Sequence, residues 1–161
     1  MFYSVSEAAI AHLKVHFVPS EKSGSKFNLD VFPDVDSLLS VLSTMVPIRI
    51  VKQSNYREAH EYYFPELAFT GFYGVGLRKD YPNAEVLTET RNGFSVSYIE
   101  LHTLPKTQFV TVVAELKDGD YCLVTIFPGM YAPAFPYSAM SDDEKQEAEA
   151  FWKDYILLKI K

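Results

Sequence analysis

The sequence predicts an α+β protein: an antiparallel meander sheet of four or more strands, with two helices before it and one after it. Three observations predict this class. Apolar residues recur at helical spacing near both ends of the 161-residue chain, and they alternate with period two through its centre. Asn92-Gly93 and Asp118-Gly119 separate the alternating runs as hairpin turns do. The length favours a single domain, residues 1–161, around one core.

Capping patterns predict where three helices begin. Ser4 and Glu7 have the spacing of a capping box, in which each side chain bonds the free backbone N–H of the other residue. Helical patterns also follow Pro33-Asp34 and Ser141, which are typical residues of a helix start. On these signals we expect helices at about residues 4–17, 34–46 and 141–153, with a further short helix over about 54–63.

Alternating residues predict the sheet across about residues 67–127. Its first run contains Gly71, Gly74 and Gly76, which we interpret as a kinked strand that another backbone approaches closely. The runs at 109–113 and 122–126 are apolar on both faces and are therefore expected to be central strands. Short strands are also expected at 48–51 and 155–160, and a surface loop at 20–26.

The composition argues against several functional classes. A net charge of −6, from 15 Lys+Arg and 21 Asp+Glu, opposes a DNA- or membrane-coating role, because such a role needs a basic face. With Cys122 as the one cysteine, an intrachain disulfide is impossible and a thiolate zinc site is not expected. No apolar run is long enough to span a membrane, and the first 18 residues lack the apolar core of a secretory signal. We therefore expect a cytoplasmic protein without membrane association.

Two patterns that suggest ligand sites have simpler interpretations. The glycines that begin at Gly71 follow the order G-x-x-G-x-G without a Lys-Ser/Thr pair, which fits neither a P-loop nor a Rossmann site. His12 and His16 are four residues apart, a spacing that can hold zinc. They lack the intervening Glu of the H-E-x-x-H pattern, however, and no third ligand stands out. We expect no metal and no cofactor.

The strand that ends in Val124-Thr125-Ile126-Phe127-Pro128, after a hairpin, resembles the last sheet strand of small microbial RNase toxins, the RelE/colicin D-like/EndoU-like group. In that group, one or two N-terminal helices pack on a four-stranded antiparallel sheet, and the order of elements over about residues 35–128 is similar here. The resemblance implies metal-independent cleavage of RNA, with the 2′-OH of the substrate as the nucleophile. It also implies a site role for Thr125.

The other candidate site residues come from residue chemistry. Cleavage of RNA without a metal needs a base, an acid and a cation that stabilises the phosphate. His60 or His102 is the candidate base or acid, and Arg91 and Lys106 are the candidate phosphate contacts. Together with Thr125 they form the predicted ribonuclease site, provided that one face of the sheet presents them together. RNA would then be the partner.

A non-enzymatic interaction domain is the alternative hypothesis. The segments Tyr62-Tyr63-Phe64 and Met130-Tyr131-Ala132-Pro133 are expected to be exposed, and aromatic residues commonly anchor protein interfaces. An acidic domain of this size also fits an antitoxin, an immunity protein, or a phage or plasmid accessory protein that binds a basic protein. Clustering of the candidate site residues in one cleft would favour the enzyme, whereas their burial would favour the interaction domain. The sequence also allows a function outside both hypotheses.

Overall fold

The computed structural model describes residues 1–18, 25–91 and 93–161. These residues form two compact units. The first contains residues 1–18, 25–73 and 105–131, and the second contains residues 74–91, 93–104 and 132–161. The single domain over residues 1–161 stays a prediction. Within the described ranges, no helix is long and apolar enough to cross a membrane.

The predicted α+β class is confirmed, with three α-helices and mostly antiparallel strands in the described residues. The single meander is wrong, because the strands form three sheets. In chain order the elements are α1 (Glu7–Leu13), β1 (Lys26–Phe27), α2 (Val35–Leu42), β2 (Arg49–Lys52), β3 (Arg57–Tyr63), β4 (Gly71–Phe72), β5 (Val75–Leu77), β6 (Leu87–Arg91), β7 (Phe94–Leu101), β8 (Lys106–Thr107), β9 (Phe109–Lys117), β10 (Asp120–Pro128), α3 (Asp142–Asp154) and β11 (Tyr155–Ile160).

The first unit is built on a four-stranded antiparallel sheet in the order β10-β9-β3-β2. The central position predicted for 109–113 is confirmed in β9. It is wrong for β10, which lies at the edge apart from a single bridge between Ser4 and Cys122. The core joins the two N-terminal helices to one face of this sheet, and its fully buried side chains include Leu13, Leu38, Leu42, Tyr62, Val110, Val112 and Ile126.

A second, three-stranded sheet of the first unit, β1-β4-β8, depends on Gly71. A Cβ atom at this position would meet the carbonyl oxygen of Lys26 and would lie 2.7 Å from Cβ of Pro128. The predicted close approach of another backbone is therefore confirmed at Gly71. The glycine-rich run is not one strand, however, since β4 and β5 belong to different sheets.

The second unit contains a mixed sheet in the order β5-β11-β7-β6. β6 and β7 form the predicted hairpin, with Gly93 at a φ of 82°, while its other turn residue, Asn92, lies outside the described residues. β11 is the predicted closing strand, and it pairs parallel to β7 and antiparallel to β5. The buried core side chains of this unit are Val96, Ile99, Leu104, Ala148, Ile156 and Leu158.

The ends of the helices differ from the predicted ones. α1 is capped by Ser6 and not by Ser4, whose backbone is hydrogen-bonded to β10. The predicted starts at Asp34 and Ser141 are confirmed, since both side chains accept a backbone hydrogen bond of the first turn. Residues 57–63, predicted as part of a short helix, form β3, because pairing with β2 and β9 outweighs the helix propensity of Glu and Ala.

The remaining turn predictions concern a hairpin and a loop. Asp118 and Gly119 join β9 to β10 and have positive φ values of 52° and 85°, so the second hairpin is confirmed. Most of the loop predicted over residues 20–26 lies outside the described residues, and its last residue, Lys26, belongs to β1.

Candidate functional site

The five predicted site residues are divided between the two units. Arg91, at the end of β6, and His102, after β7, belong to the second unit. Nε of Arg91 lies 2.7 Å from a carboxylate oxygen of Glu89, and His102 is exposed. The first unit contains the other three: His60 on β3, Lys106 on β8 and Thr125 on β10.

The register of the four-stranded sheet places His60 and Thr125 on opposite faces. His60 lies opposite Val112 of β9, whereas Thr125 lies opposite Val113. Because directly opposed residues share a face and successive residues alternate, the imidazole and the hydroxyl point away from each other. Lys106 lies in the three-stranded sheet. The sheet order of the first unit therefore does not bring these three side chains to one face.

His60 is held inside the first unit by hydrogen bonds at both ring nitrogens. Its side chain has no exposed surface. Nδ1 lies 2.7 Å from Oη of Tyr3, and Nε2 lies 2.8 Å from a carboxylate oxygen of Glu58. Oη of Tyr121 donates to the same oxygen at 2.9 Å, and Tyr3 is also hydrogen-bonded to Tyr62. Both nitrogens are thus satisfied, and neither is open to a substrate.

The protonation states of this cluster follow from its contacts. The hydrogen bond with His60 lowers the pKa of Glu58 more than burial raises it, and the hydroxyl of Tyr121 lowers it further. Burial, followed by the hydrogen bond with Tyr62, raises the pKa of Tyr3 far above its usual range. Burial also raises the pKa of Tyr62 and of Tyr121. At neutral pH the carboxylate is ionised and the phenols are protonated, so the cluster is suited to stabilising the fold.

β2 presents apolar side chains to solvent at the other edge of the same sheet. The exposed fraction is 47% for Ile50 in the strand, and it is 82% for Val46 and 59% for Ile48 in the segment that leads into the strand. Ile50 lies within β2, whereas Ile48 lies directly before the strand, where its backbone N–H donates to the carbonyl of Glu61 at 2.8 Å. Edge strands with exposed apolar side chains are templates for pairing with another chain.

The backbone of β2 also has free hydrogen-bonding groups. The amide of Gln53 donates to the carbonyl of Arg57 at 2.9 Å, at the end of the β2–β3 ladder. Since such bonds alternate along an antiparallel pair, the amides and carbonyls of Ile50 and Lys52 face away from β3. Within the part of the chain that the structure describes, no strand pairs with this outer side.

An apolar cavity of about 430 Å³ adjoins this edge. Val41 and Met45 contribute from α2 and the segment that follows it, and Tyr63 and Phe64 contribute from the end of β3. Met45 is directly followed in the chain by Val46, in the segment that leads into β2. Its lining residues are Val31, Phe32, Val41, Met45, Tyr63, Phe64, Pro65, Glu66 and Leu67.

The sequence predicted only part of this surface. In Tyr62-Tyr63-Phe64, only Tyr63 is exposed, because Tyr62 and Phe64 belong to the core. In the second aromatic segment Met130 is exposed, whereas the backbone N–H of Tyr131 donates to the buried carboxylate of Glu61 at 2.9 Å. The strand at 48–51 was predicted, but its position at an edge depends on the order of strands in space. The apolar–basic alternation of β2 was the available signal.

No protein-family model matches the chain, and no curated protein has a significantly similar sequence. The resemblance to small microbial RNase toxins stays a prediction.

Substitution of Glu58 by Gln tests the buried cluster. The variant loses the charge that accepts hydrogen bonds from His60 and Tyr121, and such bonds contribute about 1.5–3 kcal/mol. We expect the free energy of unfolding at pH 7 to fall by about that amount. Because the pKa of Glu58 is lowered in the folded protein, the wild-type advantage is present above about pH 4.5 and is lost as the pH falls through the lowered pKa.

Urea unfolding between pH 7 and pH 3, followed by circular dichroism, measures this difference. Glu66→Gln is the control, since Glu66 is exposed and a surface change of this kind alters stability by less than about 0.5 kcal/mol. A Glu58→Gln variant that is as stable as the wild type at pH 7, or equally destabilised at every pH, would contradict the assignment.

Incubation of the protein with total RNA in the presence of EDTA tests the ribonuclease hypothesis. With His60 as the base we expect the RNA to remain intact, because His60 is buried and Thr125 lies on the other face of its sheet. Gel electrophoresis is the measurement. Cleavage by the wild type that is lost in a folded Lys106→Ala/Thr125→Ala variant would instead locate a ribonuclease site at these residues.

Proposed function

We propose that the first unit is a protein-interaction module that binds an extended, acidic polypeptide segment alongside β2. The observation that carries the proposal is the outer edge of β2, where the exposed side chain of Ile50 lies beside the outward-facing backbone groups of Ile50 and Lys52. In strand addition, main-chain hydrogen bonds supply affinity, and pockets for alternate side chains supply specificity. Ile50 would contact the side chains of the added strand.

The charge of the edge favours an acidic segment. The two charged residues of β2, Arg49 and Lys52, are both basic, in a chain whose net charge is −6. Arg49 pairs with Glu61 at 2.9 Å, yet its side chain is still 57% exposed. Glutamate or aspartate opposite these residues would form cross-strand pairs of opposite charge. A second copy of the same edge would oppose like charges, which disfavours self-pairing.

The neighbouring cavity supplies a place for an apolar anchor. Its volume of about 430 Å³ can take an aromatic or a large aliphatic side chain, and Glu66 is the one charged residue among those that line it. Buried aromatic or aliphatic anchors in such pockets commonly dominate the binding energy of an interface. The segment would therefore carry an apolar residue beyond the end of its alternating stretch.

This proposal refines the interaction hypothesis and differs from it in the charge of the partner. The basic partner was expected from the net charge of the whole chain, whereas binding at β2 depends on local charge. An antitoxin, immunity or accessory role stays compatible with strand addition. Metal-independent RNA cleavage is the competing function, and intact RNA in the assay above would remove it for those substrates.

Binding of two eight-residue peptides tests the proposal. One alternates valine with glutamate, the other alternates valine with lysine, and both end in a tryptophan for the cavity. We expect the glutamate peptide to bind at least about tenfold more tightly, because like charges at the edge disfavour the lysine peptide. Isothermal titration calorimetry gives both dissociation constants. Equal affinity, or tighter binding of the lysine peptide, would contradict the proposal.

Two matched substitutions locate the binding site. Ile50→Asp introduces an acidic residue into β2, and we expect it to weaken binding of the glutamate peptide by at least about tenfold. Val18→Asp is the control, because Val18 is 50% exposed, similar to the 47% of Ile50, in the same unit but outside β2. Circular dichroism shows whether each variant is folded. Equal affinity in both variants would place any binding elsewhere.

A further inference from the structure

The second unit contains a polar cavity that is separate from the proposed interaction surface. Its volume is about 300 Å³, at the lower end of the range for small-molecule sites. Arg78 follows β5, and Ser95 and Ser97 lie on β7. Lys153 and Trp152 contribute from α3.

Arg78 gives this cavity a positively charged group in a fixed position. Its Nε lies 3.1 Å from the carbonyl oxygen of Tyr155, and its Nη2 lies 3.1 Å from that of Trp152. These acceptors are neutral, and among the described residues no carboxylate pairs with Arg78. The guanidinium is thus oriented by the protein, and its Nη1 is left for another acceptor.

The other donors make the cavity suited to a phosphate. The ammonium group of Lys153 and the hydroxyls of Ser95 and Ser97 have no hydrogen-bond or ion-pair partner within the described residues. Glu149 is the one acid that lines the cavity, against the two cations. A phosphate has three terminal oxygens and accepts more hydrogen bonds than a carboxylate, and arginine is well suited to bind it.

Aromatic side chains form the remaining wall. Phe135 stacks on Trp152 with ring centroids 4.1 Å apart, and the indole N–H of Trp152 donates to the carbonyl of Pro133 at 3.2 Å. Pro136 lies beside them. This wall is fixed in position and apolar, so it suits a small organic group attached to the phosphate.

We propose that this cavity binds a small phosphate monoester, with Arg78, Lys153 and the hydroxyls of Ser95 and Ser97 around the phosphate and the Phe135–Trp152 pair beside the organic group. The volume limits that group to about the size of one ring. The proposal is independent of strand addition at β2, because it concerns different residues in the other unit.

Trp152 offers a direct readout, since it is the one tryptophan of the chain and lines the cavity. Phenyl phosphate is the probe, and benzyl alcohol is its neutral counterpart. We expect phenyl phosphate to change the fluorescence of Trp152 saturably, with a dissociation constant below about 10 mM, and benzyl alcohol to cause no saturable change. Raising the salt concentration should weaken the binding. No saturation by phenyl phosphate, or equal binding of benzyl alcohol, would overturn the proposal.

Substitutions then test the donors. Arg78→Lys retains the charge but loses the planar guanidinium, and we expect affinity to fall at least about tenfold. Because Arg78 also bonds two backbone carbonyls, a second variant, Ser97→Ala/Lys153→Ala, leaves those bonds intact and should weaken binding at least about fivefold. Lys145→Ala is the matched control, since Lys145 lies on α3 but does not line the cavity. Equal affinity of the double variant and the control would overturn the assignment.

Discussion

The antiparallel pairing of β3 with β9 is the constraint on which the first unit depends. The ladder runs from Arg57 opposite Glu115 to Tyr63 opposite Phe109. This register turns Glu58, His60 and Tyr62 toward the face that bears the helices. A shift by one residue would exchange the two faces of the strand and would move the polar network out of the core.

The same pairing also determines which surfaces are available for binding. One side of β3 is occupied by β9, so β2 pairs with the other side and becomes the edge of the sheet. His60, one of the two candidate bases, is buried and hydrogen-bonded to Glu58 and Tyr3. The edge, by contrast, combines exposed isoleucines with backbone groups that no strand of the described residues pairs with. Burial of His60 and exposure of the edge both follow from one strand pairing.

Local signals in the sequence predicted the elements whose formation depends on neighbouring residues. The turns at Gly93 and Gly119, the caps at Asp34 and Ser141, and the tight position of Gly71 all follow from backbone conformation or close approach. The division of the chain into three sheets did not follow, because strand order depends on contacts between residues far apart in the chain. The prediction of a helix at β3 is wrong for the same reason, since its sequence has no period-two pattern and it forms a strand through pairing with β2 and β9.

The candidate sites show the same contrast. The sequence identifies residue types such as His60 and Arg91 that can perform chemistry, but it does not show whether they meet. The place of Arg78 beside a cavity depends on the fold, which brings α3 and β7 to the same cavity. The sequence shows the residue types, but it does not determine which of these residues lie close to one another.

Amide hydrogen exchange at β2 tests the central claim most directly. In the free protein, the outward-facing amides of Ile50 and Lys52 should exchange quickly, whereas the amide of Val51, which faces β3, should be protected. Saturation with an acidic, apolar strand peptide should protect Ile50 and Lys52 and leave Val51 unchanged. Protection of Ile50 and Lys52 in the free protein, or no added protection at saturation, would contradict strand addition at this edge.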